Sequence, residues 1–571
     1  MREVKPPAAC NHLQLKGLDL ISTWCFNDDF INNNFKHYNM KRFITGLMAA
    51  ALIFTAGCKK KFDDLATNPN LPEKVPAALV LNGIETSMSG TQRPWGLEQR
   101  WNQFACCNYN YYGNQEYNWG GATLFYSTLK NVLKMEEEAK NGGAGDLNPY
   151  SALGKFFRAW FFYEMTMRVG DLPMKEALAG IDNLTPKYDT QKDIFIQVNK
   201  WLEEANADLT SLISSANNTL LGDYLCNNDL RKWQKVVNTF RLRVLISLSK
   251  KAADTDLAAG STFAAIISNN NKYPVLGAMT DNLQYVWVNP FNKYPVNPDN
   301  FGFDATRYNM SSTNISLLTG LKDPRVFAIA EPAGSQLKAG LLPSDHAAFI
   351  GASPAEDLAD MSTKAGFDNG AGFTPGKYSF YGRYRYYRSY TAENTIIIGY
   401  PEMCFNIAEA INLGWLAGNA EDWYKKGIQA SIGFYGIKDG VNDFYYLKAG
   451  GKVTESGDYI NYKVSFVFND YYNQPAVTYA GNNATGREQI LKQKYLAFFQ
   501  HSGYEAYYNY RRTGFPDFAK NGPGTGNSGL IPKRFQYPGT ERTTNGTNLA
   551  TALQRQYGGQ DNINASMWVI Q

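Results

Sequence analysis

The stretch Met40 to Cys58, MKRFITGLMAAALIFTAGC, sets the limits on what this 571-residue chain can fold into. Lys41 and Arg42 precede a charge-free apolar run from Phe43 to Ala56, and small residues then lead into Cys58. That is the layout of a secretory signal with its cleavage site. The run is about 14 residues, short of the ~20 a helix needs to cross a bilayer. No polar stripe interrupts it, as an amphipathic core helix would require. The folded protein is therefore expected to begin only after this stretch. Residues 1–39 lie upstream of the signal and show no clear periodicity. They are read as an over-long start to a chain that truly begins at Met40, and are left out of the fold.

Thr55-Ala56-Gly57-Cys58 has the form of a bacterial lipobox, with Thr55 where Leu is usual. Cleavage before Cys58, after a signal spanning 40–57, would leave its thiol and new amine to carry acyl chains. One acyl chain binds a membrane marginally; two or more anchor stably, at about 0.8 kcal/mol per buried methylene. The residues that follow, KKKFDDLATNPN, cannot bury apolar surface and are expected to form a solvated tether over 58–75. Residues 76–571 are expected to form a single domain.

A net charge of +4 over the whole chain is too balanced for a nucleic-acid binder, which would carry a basic face. Charged residues are only 19%, whereas aromatics reach 14%, with 37 Tyr and 33 Phe. Tyrosine joins a flat apolar body to a polar tip and suits wet binding surfaces. Beyond Cys58 only Cys106, Cys107, Cys226 and Cys404 remain, with His346 and His501, so neither a disulfide framework nor a Cys/His zinc site is expected. No HExxH or GxSxG occurs, and no cofactor is expected. Gly524 to Gly529 fits GxGxxG but lacks the strand before it and the helix after it that make a phosphate cradle. Glu136-Glu137-Glu138 and Glu203-Glu204 are read as solvated helix faces.

Apolar spacing predicts helices over 76–88, 124–140, 150–169, 190–212 and 229–253. The third has apolar residues around most of its circumference and should be buried on several sides. Between 254 and 398 proline, glycine and tyrosine predict long loops and short strands. Helices return at 400–416 and 420–435, a pair resembling a tetratricopeptide hairpin, and at 487–500. From Gly514 to the end the text reads as loop.

Several blocks, in order, resemble the SusD/RagB outer-membrane lipoproteins of Bacteroidetes, in particular the SusD-like branch. They are FFRAWFFYEMTMRVGDLPM (156–174), LRKWQKVVNTFRLRVLISLSKK (230–251), KDPR (322–325), YPEMCFNIAEA (400–410), YKKGIQASIGFYG (424–436), REQILKQKYLAFF (487–499), RRTGFP (511–516) and IPKRFQYPGTE (531–541). The chain departs from that pattern at Tyr495, where Trp is common, and ends with a lone Trp568. The resemblance implies a mainly α fold in which tetratricopeptide-like helical hairpins support a large, irregular, loop-rich, ligand-facing part. It also implies a non-enzymatic surface lipoprotein that captures an oligosaccharide or peptide. The captured nutrient would pass to a SusC-like TonB-dependent transporter in the outer membrane. A helical scaffold binding only proteins and a surface hydrolase are the competing readings.

Polar residues within the helical blocks are expected to pair internally, since buried polar groups need partners: Arg158, Trp160, Trp233, Asn238, Arg241 and Glu409. Arg511 and Arg512 are expected to brace the fold in the same way. Ligand binding instead needs flat rings beside amides and hydroxyls. The stretch from Trp101 to Trp119 supplies Trp101, Asn102, Tyr109, Asn110, Tyr111, Tyr112 and Trp119. A second stretch, Tyr285 to Tyr308, supplies Trp287, Phe291, Tyr294 and Arg307. The anchor has its own test: Cys58→Ser should yield a folded protein that no longer partitions with membranes, and unchanged partitioning would rule out lipidation.

Overall fold

The computed structural model describes residues 75–215, 218–366 and 376–571. The expectations placed on residues 1–57, on Cys58 and on the tether as far as 74 lie outside them. The first described helix, α1 (Ala77–Gly90), buries Leu81, Ile84 and Met88. A short helix, α2 (Leu97–Trp101), follows. Four long helices then stack in sequence: α3 (Tyr126–Asn141), α4 (Pro149–Val169), α5 (Gln191–Ser214) and α6 (Leu230–Ser247). The last three of them start at capping residues that satisfy the first free N–H groups. Asn148 and Ser151 form a reciprocal capping box ahead of α4, with Pro149 in its first turn. The Thr190 hydroxyl accepts from Asp193 N–H, and Asp229 accepts from Arg231 and Lys232 N–H. As its pattern implied, α4 is buried nearly all round.

The later hairpin pairs α7 (Tyr400–Asn412) with α8 (Ala420–Phe434), and α9 (Ala484–Ala497) packs against both. Gly427 is required there: a Cβ would lie 2.7 Å from the Phe405 ring. The helix α10 (Glu505–Thr513) follows. Three antiparallel strand pairs complete the loop-rich part. They are β1 (Ala105–Cys107) with β3 (Tyr308–Met310), β2 (Leu283–Tyr285) with β4 (Thr395–Ile398), and the hairpin β5 (Gly440–Leu447) with β6 (Tyr459–Phe466). Sequence reading missed this last hairpin: its buried residues, Phe444, Leu447, Tyr459, Tyr462 and Phe466, fall three or four apart along each strand, so no period-two alternation marks it.

Three readings are corrected. Residues 254–398, expected as long loops and short strands, also contain the helices Ala259–Ser268, Ser312–Gly320 and Leu358–Ala365, too short for their apolar spacing to stand out among the prolines and glycines. The helix expected over 229–253 ends at Ser247. The terminal region contains a helix, α11 (Gly546–Tyr557), whose spacing of Leu549, Ala552 and Leu553 makes one apolar stripe. Residues 524–529 lie in short 3-10 turns with no α-helix directly after them.

The buried polar residues pair as expected. Arg158 meets Glu136, and Arg241 meets Glu203, so neither glutamate belongs to a purely solvated face. Trp233 Nε1 donates to Asp223 (2.9 Å), and Asn238 Nδ2 donates to Asn206 Oδ1 (2.9 Å). Arg512 meets Glu409, and Arg511 donates to the carbonyls of Met167 and Lys533. Trp160 departs from the expectation: its Nε1 is buried without a hydrogen-bond partner among the described residues. All four described cysteines are buried and free.

Glu85 is fully buried on α1 and accepts from Tyr224 N–H (3.1 Å). It sits beside Asp223, whose carboxylate already takes the N–H groups of Leu225, Cys226 and Asn228 and the Trp233 indole. Burial, reinforced by that neighbouring charge, pushes Glu85 up to about 10. The native state thus holds a proton that the unfolded chain releases above its ordinary value of 4.5. Glu85 therefore lowers stability progressively as pH rises from the unfolded toward the folded pKa. Urea unfolding between about pH 5 and pH 9 should show the wild type losing stability that Glu85→Gln retains. Identical pH slopes would mean that Glu85 is ionised in the folded protein.

Candidate functional site

The β1–β3 pair joins the two aromatic stretches singled out in the sequence. Cys107 lies opposite Tyr308, and Asn108 N–H donates to Arg307 O (2.8 Å). The Asn108 amide clamps the same strand, donating to Thr306 O (3.1 Å) and Asn309 Oδ1 (2.6 Å). The chain then turns through Asn110–Tyr112. Arg100 holds the turn from beneath, its Nη1 donating to Tyr112 O (3.1 Å) and Asn114 O (3.2 Å). Gly113 has φ +92°, and a Cβ there would come within 3.0 Å of that same Nη1. Glycine therefore serves both the backbone turn and the close approach.

On this base Tyr109, Tyr111 and Tyr112 form a corner of rings, with Tyr111–Tyr112 centroids 5.2 Å apart and near perpendicular. Tyr111 is 83% exposed and Tyr109 42%. The Arg307 guanidinium lies 4.3 Å above the Tyr109 ring, an attractive cation–π arrangement. From Tyr112 a row of rings runs inward through Tyr308 (6.2 Å), Tyr381 (5.9 Å) and Trp95 (4.0 Å). Trp95 Nε1 donates to the Tyr294 hydroxyl (3.0 Å), and the row continues through Trp287 (5.6 Å) to Tyr285 (4.9 Å). It ends at a pocket of about 210 Å³. Tyr285, Trp287, Gln92, Arg93, Asn292 and Thr395 are in its wall, which has no carboxylate. Burial raises the Tyr285 hydroxyl above its usual range, so it is a neutral donor at physiological pH.

The eight expected ligand contacts therefore divide. Tyr109, Tyr111 and Tyr112 form the exposed corner, and Trp287, though only 7% exposed, is in the pocket wall. Asn102, Trp119 and Tyr294 are corrected to interior positions, because burial removes them from a ligand's reach. The Asn102 amide donates to Gly503 O (2.7 Å) and accepts from Tyr507 N–H (3.0 Å). Trp119 stacks on Phe535 at 4.0 Å, and Tyr294 is fully buried. Trp101 is half-buried, donates to Glu116 O (3.0 Å) and packs on Trp119. Arg93, Trp95 and Tyr381 were not singled out, since only tertiary contact reveals Trp95 and Tyr381 in the row and Arg93 in the pocket wall. A larger cavity, about 550 Å³, lies elsewhere, against Phe380, Arg383, Tyr446 and Ile460.

This fold and its aromatic surface belong to a class of binding protein associated with the bacterial outer membrane. Residues 69–538 match the SusD-like family model described as starch-binding and associating with the outer membrane, and the chain belongs to that family. It is similar, at 30% identity, to an outer membrane protein of Bacteroides vulgatus ATCC 8482 described as involved in nutrient binding. That match covers 87% of this chain and all of the other, with TM-score 0.71. A SusD homologue from Bacteroides fragilis NCTC 9343 matches at 29% identity over the same shares, with TM-score 0.72. A chitin-binding SusD homologue from Flavobacterium johnsoniae shares the fold at 19% identity, covering 86% of this chain and 98% of its own, with TM-score 0.60. No curated protein matches the chain. SusD homologues are binding proteins rather than enzymes.

The clamp on the tyrosine corner is testable. Arg100→Ala should speed amide hydrogen exchange across 109–114 at least severalfold while leaving α4 and α6 protected. Unchanged exchange at the corner would show that the strand pair alone holds it.

Proposed function

We propose that this protein is a lipid-anchored surface protein that captures a glycan on its aromatic row and passes it to a SusC-like TonB-dependent transporter. The observation that carries the reading is the β1–β3 pairing, which sets exposed Tyr109 and Tyr111 beside Arg307 on a rigid base. A sugar offers an apolar C–H face to a ring and hydroxyls to neighbouring amides and guanidinium groups. The corner supplies rings and a guanidinium; the pocket at the other end supplies rings, hydroxyls and amides. Both kinds of contact are polar at the edge and apolar at the face. The chitin-binding description of a structural relative is consistent with this class of ligand. A non-catalytic role accords with the family and with a pocket walled by hydroxyl, amide and guanidinium groups. Anchoring through Cys58 would keep the captured glycan at the membrane.

Titration of the purified protein against a glycan panel and a peptide library decides the ligand class. For a glycan that binds, Tyr111→Ala and Trp287→Ala should each weaken affinity about tenfold, or ~1.4 kcal/mol. Unaltered binding in both variants would overturn the site; binding confined to peptides would overturn the glycan reading.

A further inference from the structure

The pocket at the inner end of the row has a charge asymmetry that the glycan reading does not by itself explain. Its two walls come from distant elements: the end of α1 with Gln92 and Arg93, and the β2–β4 pair with Tyr285, Trp287 and Thr395. Two hydroxyls there keep a proton to give, and the buried Gln92 Oε1 is an acceptor without a partner among the described residues. Tyr285 accepts a hydrogen bond from Asn292 Nδ2 (2.7 Å), which leaves its own O–H to give. Thr395 Oγ1 accepts from Trp287 Nε1 (3.0 Å), which leaves its hydroxyl proton in the same position. Arg93 is exposed at the rim and has neither a hydrogen bond nor an ion pair among the described residues. Most arginines of the fold are tied down, as Arg100 is by two carbonyls and Arg243, Arg325 and Arg512 are by carboxylates.

No carboxylate is in the pocket wall. Glu85, on the buried side of α1, is held neutral beside Asp223 and offers Arg93 no counter-charge. The set is thus a ring floor, two hydroxyl donors and an unspent guanidinium fork, in a space suited to a single sugar ring. A planar guanidinium matches a carboxylate in two parallel hydrogen bonds. Resting on the glycan-binding reading above, we propose that this pocket takes a carboxylate-bearing sugar residue, a uronate. Its ring would lie against Tyr285 and Trp287 and its carboxylate would meet Arg93.

The test uses short oligogalacturonides, their methyl esters and the matching neutral galacto-oligosaccharides, titrated calorimetrically against the whole protein. The acid should bind about tenfold more tightly than the ester or the neutral sugar, as a charge-assisted hydrogen bond provides. Added salt should narrow that gap. Arg93→Gln should erase the preference, the acid losing about tenfold in affinity and the ester and neutral sugar losing markedly less. Equal binding of acid and ester, or a preference that survives Arg93→Gln, would overturn the proposal. If none of the three binds while another glycan of the panel does, the uronate assignment falls and the glycan reading stands. If no glycan binds at all, both fall.

Discussion

The ligand-facing part of this protein depends on one buried amide, that of Asn102. It bonds on one side to Gly503 O and on the other to Tyr507 N–H, tying the end of α2 to the start of α10 across some four hundred residues of chain. The Tyr495 hydroxyl of α9 reinforces the junction, lying 3.0 Å from Asn102 O and 2.9 Å from Gln103 O. Three residues further on β1 begins, and from β1 the tyrosine corner is hung. An amide that lost one of these partners would be left unsatisfied in the interior, at a cost of about 1–3 kcal/mol. The corner is therefore positioned by the helical body and not by its own loop.

The helical body is held rigid by buried charge as well as by apolar packing. Arg325 grips Asp323 through two hydrogen bonds (2.9 and 2.7 Å) and reaches Ser431 on α8 and Gln493 on α9. Arg512 on α10 meets Glu409 on α7 at 2.5 Å, with Lys494 at 3.7 Å from the same carboxylate. Arg243 on α6 meets Glu402 on α7. These pairs give the family-like sequence blocks a physical reading: buried ion pairs join 230–251 and 511–516 to 400–410, while 322–325 holds both partners of its own pair. Removing one partner of such a buried pair costs about 3–5 kcal/mol, because the other charge is stranded. They specify how the hairpins meet, and with that the base on which the aromatic row lies.

Much of this was legible before any coordinates. Helices α1 and α3 to α6 follow from apolar spacing, and the internal pairing of Asn238, Arg241, Glu409 and Arg512 follows from their apolar surroundings. The hairpin β5–β6 was missed because its buried residues fall three or four apart, a spacing that does not read as strand. The ring row was only half legible. Tyr109, Tyr111 and Trp287 stand in aromatic loops, but the same loops contain Asn102, Trp119 and Tyr294, which composition cannot separate from them. Only the tertiary fold decides which ring faces water. Tyr495 illustrates the same limit: it departs from a common Trp, and its reason is a hydroxyl contact with Asn102 O that no local pattern announces.

The proposed binding function lies at the two accessible ends of one aromatic row on a rigid helical base. A crystal structure of the protein with a glycan identified by panel titration tests it most directly. The sugar is expected against Tyr111 and Tyr109 at the corner, or against Tyr285 and Trp287 in the pocket. A glycan seated instead in the larger cavity between Phe380, Tyr446 and Ile460, with both ends of the row unoccupied, would contradict it.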